Sequence, residues 1–268
     1  MILGEVYPGI SLRRFLMDIQ DILIHKTQKQ HLDLSDSEFS ISPVLILQLK
    51  QQLLRGIPLA VLMGFSEFYG HRFFVDANVL IPRPETEAMV DLLVKSQKRF
   101  DSILDVGTGS GIIALTLLDQ SVAKNAIASD LSESALVVAR INARRLRLED
   151  RCQFILSDRL ENISQKFSLI VSNPPYIKAE AHHSSVHSSV DLHEPKLALY
   201  LPDQEYRNWF EVFFTQVKAH LTVGGMFLME GHELEVPEQG QILKSLGFST
   251  VEVLKDFTDR PRYLQAII

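Results

Sequence analysis

The tetrapeptide Asn173-Pro174-Pro175-Tyr176 directly follows an apolar run and could position a weak nucleophile. An amide or exocyclic amine nitrogen reacts poorly, because its lone pair is delocalised into a π system. The side-chain oxygen of Asn173 and the carbonyl of Pro174 are two acceptors that would orient the N–H groups of such a nitrogen. Pro175 stiffens the loop together with Pro174, and Tyr176 offers a ring wall for a planar amide or base. The residues predicted to be catalytic are Asn173, Pro174, Pro175 and Tyr176.

A second group of residues, 105–111, reads Asp-Val-Gly-Thr-Gly-Ser-Gly and separates an apolar run from a helical pattern. Its glycines let the backbone approach a ligand closely and leave N–H groups available at a helix N-terminus. Asp130 ends the next apolar run, at the place where an acid accepts hydrogen bonds from a ribose diol. A tight strand-to-helix turn without a ligand is the alternative. The combination favours a bound nucleoside.

The spacing around the glycines narrows the choice of nucleoside. The dinucleotide fingerprint requires a third glycine where this chain has Ile112, and the Gly-Lys-Ser/Thr of a phosphate-binding loop is missing. Asp105 would be unfavourable beside a diphosphate but suits a cationic ligand. A ribose, a positive charge and no phosphate describe S-adenosylmethionine. The residues predicted to bind it are Asp105, Gly107, Thr108, Gly109, Ser110, Gly111 and Asp130.

These residues need a scaffold that gathers the ends of several strands. After residue 82, apolar runs alternate with helical patterns, as in an α/β sheet whose ligands bind outside the carboxyl ends of the strands. We predict an α/β fold, a Rossmann-like seven-stranded sheet of the class I methyltransferase type with a small N-terminal helical domain. The predicted strands are Ser102–Val106, Ala126–Ser129, Cys152–Leu156, Leu169–Ser172, Met226–Met229, Val251–Leu254 and Tyr263–Ile267. The predicted helices include Pro84–Gln97, Ile112–Leu118, Ser132–Leu146 and Trp209–Leu221.

The front of the chain differs from the rest in its pattern. Residues 11–56 have helical apolar spacing, and residues 65–81 alternate aromatic and turn residues in the manner of a hairpin. We predict two domains. Residues 1–72 form an N-terminal helical substrate-binding domain with the start of a hairpin linker, and residues 73–268 form the S-adenosylmethionine-dependent methyltransferase domain.

Composition excludes several classes of protein. The 268 residues are 46% hydrophobic, and 27 Lys+Arg against 33 Asp+Glu leave a formal net charge of −6, which disfavours stable nucleic-acid binding. No apolar run approaches the ~20 residues of a membrane span. The single cysteine, Cys152, excludes an internal disulfide framework, and the four histidines between 182 and 193 favour a solvated loop over a metal site. We expect a cytoplasmic monomer without a metal or a membrane contact, with Cys152 buried.

Three segments together resemble the HemK-type release factor glutamine methyltransferases. They are Ile81-Pro82-Arg83-Pro84-Glu85-Thr86-Glu87, the glycine loop at 105–111, and Ser172-Asn173-Pro174-Pro175-Tyr176-Ile177. The resemblance covers nearly the whole chain. It implies S-adenosylmethionine-dependent N5-methylation of the glutamine in the Gly-Gly-Gln tripeptide of peptide-chain release factors, which would be the protein partners. The sister family that modifies a ribosomal protein shares Asn-Pro-Pro-Tyr but differs at residues 82–87.

The resemblance also implies cofactor contacts at Asn173 and, for the adenine, after Ser157. Asp158 and Arg159 are therefore predicted to bind the cofactor. The family usually has an aromatic residue where this chain has Arg159, so a cation–π contact or solvent exposure would replace stacking. The loop after Leu199 also departs from the glycine-rich family pattern, which predicts a different loop shape over the site.

Two other functions fit parts of the pattern. A DNA or RNA adenine-N6 methyltransferase could use the same tetrapeptide to hold the exocyclic amine of a flipped base. The net acidity and the lack of a large additional target-recognition region disfavour it. A non-catalytic binding module that kept the fold is the other alternative, suggested by Arg159 and the altered loop.

Overall fold

The computed structural model describes residue 48 and residues 51–268. Most of the predicted front helical unit lies outside these residues. Within them, residues 51–54 are helical, and a short 3-10 turn spans His183–Ser185. The strands are β1 (Phe65–Phe68), β2 (His71–Phe74), β3 (Phe100–Val106), β4 (Ala123–Asp130), β5 (Cys152–Leu156), β6 (Phe167–Ser172), β7 (Ile177–Lys178), β8 (Tyr200–Leu201), β9 (Leu221–Glu230), β10 (Thr250–Lys255) and β11 (Pro261–Ile267). The helices are α1 (Leu59–Met63), α2 (Pro84–Lys95), α3 (Ile112–Asp119), α4 (Glu133–Leu146), α5 (Ser188–His193), α6 (Lys196–Leu199), α7 (Tyr206–His220) and α8 (Val236–Ser245).

A seven-stranded sheet with the order β10-β11-β9-β6-β3-β4-β5 forms the centre of the described chain. Strand β11 runs antiparallel to both of its neighbours, whereas the strands from β9 to β5 are mutually parallel. All seven predicted strands are confirmed, and the observed strands extend beyond several of the predicted ends. Helix α7 begins at Tyr206, three residues before its predicted start. The carboxyl ends of β3, β4, β5, β6 and β9 therefore meet at one edge.

Successive side chains along a strand point to opposite faces of the sheet, and they form two hydrophobic cores, one on each face. Ile103 and Val171 face the core that contains α2 and α3, whereas their neighbours Leu104 and Ile170 face the core that contains α7 and α8. Strands covered on both faces must be apolar at successive positions, which is the pattern that made them visible in the sequence. Cys152 is buried in the first core, as expected, and burial raises the pKa of its thiol to about 12.

The hairpin β1–β2 packs onto the sheet unit. Its two-residue turn, Tyr69-Gly70, has positive φ at both positions, as a type I′ turn requires. The backbone N–H of Tyr69 donates to Glu87 on α2, and the amide of Asn142 on α4 bonds both the N–H and the carbonyl of Phe74. The predicted domain boundary between residues 72 and 73 falls inside β2, and the two-domain division stays a prediction.

The histidine-containing segment has defined contacts where a solvated loop was expected. His182 is buried and stacks on His232 with 4.1 Å between ring centroids, and His193 Nε2 lies 3.0 Å from the carbonyl oxygen of Arg55. Among the described residues, no group of three His, Cys, Asp or Glu side chains could hold a metal ion. No helix in the described part of the chain is long and apolar enough to cross a membrane.

Gly111 and Gly70 offer a matched test of packing at the start of α3. Both have positive φ (+83° and +79°), so alanine costs similar backbone strain at each. A Cβ at Gly111 would lie 3.0 Å from Leu115 and 3.2 Å from Ala139, whereas a Cβ at Gly70 meets nothing within 4 Å. We expect Gly111→Ala to lower the free energy of unfolding by about 1–3 kcal/mol more than Gly70→Ala, measured by urea denaturation. Equal losses would contradict a packing role for Gly111.

Candidate active site

A cavity of about 200 Å³ opens at the carboxyl edge of the sheet, where the predicted site residues converge. It is bordered by the segments that follow β3, β4, β5 and β6, together with residues 78–82 and 195–201. Predicted site residues on its wall are Gly107, Thr108, Gly109, Ser110, Asp130, Asp158, Arg159, Asn173, Pro174 and Pro175. Three predicted site residues are missing from that wall, namely Asp105, Gly111 and Tyr176.

The glycine loop forms an open cradle between β3 and α3. Gly107 and Gly109 have positive φ (+72° and +56°), and nothing lies within 4 Å of the place where a Cβ would be. The hydroxyl of Ser110 is buried and lacks a hydrogen-bond partner among the described residues. A loop with free space over its backbone and an unpaired hydroxyl fits a polar ligand that lies directly against it.

Asp130 joins the end of β4 to this loop. One carboxylate oxygen accepts the N–H of Gly109 at 2.8 Å, and the other accepts the N–H of Ser132 at 2.9 Å. Burial raises the pKa of Asp130, and backbone N–H groups of Ser132, Gly109 and Leu131 oppose that rise. Each oxygen keeps a further lone pair, so the residue can still accept hydrogen bonds from ligand hydroxyls on the cavity side.

Arg159 lies at the far side of the cavity, paired with Asp158. Its guanidinium donates to both oxygens of that carboxylate at 3.0 and 3.1 Å and lies 5.6 Å from the centroid of the Trp209 ring. The Arg159 side chain is only 16% exposed. Of the two expectations for Arg159, a cation–π contact describes the position better than solvent exposure does. The aromatic ring in that contact is the side chain of Trp209.

The side-chain amide of Asn173 has a defined orientation. Its Nδ2 donates to Thr86 Oγ1 at 2.9 Å and to Glu230 Oε2 at 3.1 Å. Its Oδ1 is buried and accepts no hydrogen bond from any described residue. An unpaired buried acceptor costs free energy, about 1–3 kcal/mol for a typical polar group, and so it marks a place where a donor on a ligand belongs.

The three predicted site residues that do not line the cavity contact the segments that form its wall. Asp105 is fully buried, and its Oδ2 accepts the Thr108 hydroxyl at 2.7 Å and the Ala114 N–H at 3.2 Å, so it ties the loop to the first turn of α3. Tyr176, expected as a ring wall, directs its hydroxyl to Glu230 at 3.0 Å, and burial raises its pKa well above the ordinary value. Gly111 allows α3 to pack closely on α4.

A partly buried ion pair lies beside the cavity. Glu194 accepts the N–H of Ile81 at 2.9 Å and the Arg83 guanidinium at 2.6 Å. Pro82 and Pro195, adjacent to these partners, both line the cavity. The segment after Leu199 forms β8, which pairs with β7 and lines the cavity. The segment singled out at residues 81–87 is thereby held beside the cavity.

Sequence reasoning missed four residues that shape the site: Thr86, Glu194, Trp209 and Glu230. Glu230 carried a usable signal, because it is an acid at the carboxyl end of an apolar strand, as Asp130 is. Thr86 lies within the 81–87 segment that carries the family resemblance, but the sequence indicated no role for it. Trp209 and Glu194 act through contacts to residues 50 and 111 positions away, which no local pattern reveals.

Comparison with known proteins agrees with this geometry. Residues 84–192 match the family described as Methyltransferase small domain. A protein of Cereibacter sphaeroides named release factor glutamine methyltransferase is 36% identical over 209 residues, covering 78% of this chain and 74% of the relative. One of the same name from Chlorobaculum tepidum is 37% identical over 230 residues, covering 81% and 76%.

A solved structure shares the fold. It is the T. thermophilus 16S rRNA methyltransferase in complex with AdoMet and guanosine, with a TM-score of 0.55 and 17% sequence identity. The likeness covers 76% of this chain and 49% of that one. The described sheet is thus the class I methyltransferase sheet that was predicted.

The burial of Asp105 predicts a pH-dependent stability. Burial raises its pKa from 3.8 to about 7, so between these values the folded state keeps a proton that the unfolded chain has lost. The contribution to stability is complete below pH ~4 and is lost as the pH rises through about 7, by up to about 1.4 kcal/mol per pH unit. Asp105→Asn should remove this part of the slope, measured by urea denaturation between pH 5 and pH 8. Parallel curves for the two proteins would contradict it.

Proposed function

The chain belongs to the release factor glutamine methyltransferases, and from that membership we propose that it transfers a methyl group from S-adenosylmethionine to the glutamine N5 of a release factor Gly-Gly-Gln motif. One observation carries the proposal: the buried, unpaired Oδ1 of Asn173 on the cavity wall. A primary amide has two N–H donors, and an acceptor fixed in front of one of them is the group that this chemistry needs.

The cavity residues fit the cofactor. The open backbone at Gly107 and Gly109 and the unpaired hydroxyl of Ser110 would take its amino-acid part. Asp130 would accept the ribose hydroxyls, and Asp158 with Arg159 would border the adenine. When bound, S-adenosylmethionine supplies an electrophilic methyl group on a sulfonium, whose sulfur keeps the C–S electron pair as the N–C bond forms.

The protein then acts by positioning. Asn173 Oδ1 and the carbonyl of Pro174 would accept the two N–H groups of the glutamine amide and hold its nitrogen toward the methyl group. Pro174 and Pro175 restrict the backbone that carries both acceptors. The nitrogen loses one proton to solvent as it gains the methyl group, so neither a metal nor an activated base is needed.

A labelled-transfer assay tests the proposal. Purified protein, methyl-labelled S-adenosylmethionine and a release factor should yield a methyl group on the Gly-Gly-Gln glutamine, located by mass spectrometry of the digest. Asn173→Ala should lower turnover by at least about 10²-fold and leave the cofactor Kd within about threefold, because its side chain presents the nucleophile. Asn208→Ala makes the same change at an exposed position of α7 and should retain full activity.

Other outcomes of this assay decide against the proposal. Label in nuclease-sensitive material, with DNA or RNA as acceptor, would favour an adenine-N6 methyltransferase. No binding of S-adenosylmethionine in calorimetry would favour a non-catalytic module. An equal loss of cofactor binding and turnover in Asn173→Ala would show that the role given to Asn173 is wrong.

Asp130→Ala should separate cofactor binding from positioning of the amide. Loss of the acceptors for two ribose hydroxyls should raise the Kd of S-adenosylmethionine by at least about 10-fold, measured by calorimetry. Asp101→Ala is the matched control, because Asp101 is an exposed acid near the opposite end of β3. An unchanged Kd in Asp130→Ala would contradict the ribose assignment.

A further inference from the structure

Glu230 is a buried carboxylate outside the cavity wall, and three donors from two parts of the chain, α2 and the loop after β6, converge on it. Its Oε2 accepts the Thr86 hydroxyl at 2.7 Å and the Asn173 amide at 3.1 Å, and its Oε1 accepts the Tyr176 hydroxyl at 3.0 Å. It is 1% exposed. Burial raises the pKa of Glu230, and the hydroxyls of Thr86 and Tyr176 and the charge of Arg262 oppose that rise. In all three hydrogen bonds the oxygens of Glu230 are the acceptors.

We propose that Glu230 is a positioning residue that determines which end of the Asn173 side chain faces the substrate. The inference rests on the proposed function, since it concerns how the amide of a substrate glutamine is held. It assigns to Glu230, and to Thr86 as its intermediary, the orientation of Asn173 Oδ1 toward the cavity.

The side-chain amide of an asparagine is nearly symmetric in shape. The oxygen and nitrogen of the side chain are nearly equal in size, so packing alone does not distinguish one orientation from its 180° flip. One orientation offers the substrate amide an acceptor. The flipped orientation would offer N–H groups to the N–H groups of the substrate, which abolishes the interaction.

Hydrogen-bond polarity resolves this ambiguity at Asn173. The Thr86 hydroxyl donates its single hydrogen to Glu230, so it can only accept a hydrogen bond from Asn173. Glu230 Oε2 also can only accept. Asn173 Nδ2 donates to both of these oxygens, and a flip would place Oδ1 against the same two acceptor oxygens at about 3 Å. Two repulsive contacts would replace two hydrogen bonds.

Glu230→Gln tests this role with little change in shape. Its amide can donate as well as accept, so the flipped Asn173 becomes tolerable. We expect kcat for release factor methylation to fall by at least about 30-fold, with the Kd of S-adenosylmethionine within about threefold of wild type. Glu238→Gln makes the same change at an exposed glutamate of α8 and should leave kcat within twofold.

A pair of substitutions at Thr86 supplies an independent arm. Thr86→Val keeps the shape and removes the hydroxyl, and it should lower kcat by at least about 10-fold. Thr86→Ser restores the hydroxyl and should recover kcat to within about threefold of wild type. Recovery by serine would not follow from a role in packing alone. If Glu230→Gln fails to fold, this pair decides the proposal.

A measurement without substrate separates this inference from the proposed function. The side-chain ¹H–¹⁵N signals of Asn173, assigned by their loss in Asn173→Ser, should exchange slowly with solvent in the wild type and at least 10-fold faster in Glu230→Gln. Slow exchange of the Asn173 side-chain hydrogens, with no methylation of a release factor by the wild type, would contradict the proposed function but not this inference. Unchanged exchange in Glu230→Gln, or kcat within threefold of wild type for Glu230→Gln or Thr86→Val, would overturn the inference.

Discussion

Two buried carboxylates, Asp105 and Glu230, constrain the rest of the site. Burial raises the pKa of both carboxyl groups, and at each of them hydrogen-bond donors from separate segments of the chain oppose that rise. Asp105 ties the glycine loop to the start of α3, and Glu230 ties α2 to the loop after β6. The cavity wall is therefore positioned by acids that do not line it.

The site consists of groups that line the cavity and of buried acids behind them that orient those groups. The groups on the wall are mostly backbone, proline and unpaired acceptors or hydroxyls, which suits chemistry carried out by orientation. Behind them, hydrogen-bonded acids give these groups their direction. A methyl donor that already carries its leaving group requires no more from the protein than this.

Sequence patterns predicted the central strands well because these are buried on both faces, and apolar residues also marked the partly exposed edge strand β5. Apolar runs such as Cys152–Leu156 matched the observed bounds, and the glycine loop and Asn173 were placed at one edge by the general rule for open α/β sheets. Direct contact with a ligand was also predicted for Asp105 and Tyr176, which lie behind the wall. Local sequence indicates which residue types are present at a strand end but not which way each side chain turns.

The residues that escaped prediction share a different property. Thr86 and Glu230 are 144 positions apart, and Glu194 is 111 positions from its partner Arg83 in the 81–87 segment, so these contacts depend on tertiary structure. Strand order is itself set by tertiary packing, since β9 pairs with β6 although 48 residues separate the end of one from the start of the other.

The position of β9 has a consequence for biosynthesis. Residues of the glycine loop, Asp130 and Asn173 leave the ribosome well before Glu230, which follows 57 residues after Asn173. The antiparallel strand β11 comes last and covers the other edge of β9, and its Tyr263 hydroxyl bonds the carbonyl of Glu85 at 2.8 Å. A nascent chain thus holds most of the wall residues before β9 brings Glu230, the acceptor that orients the Asn173 amide.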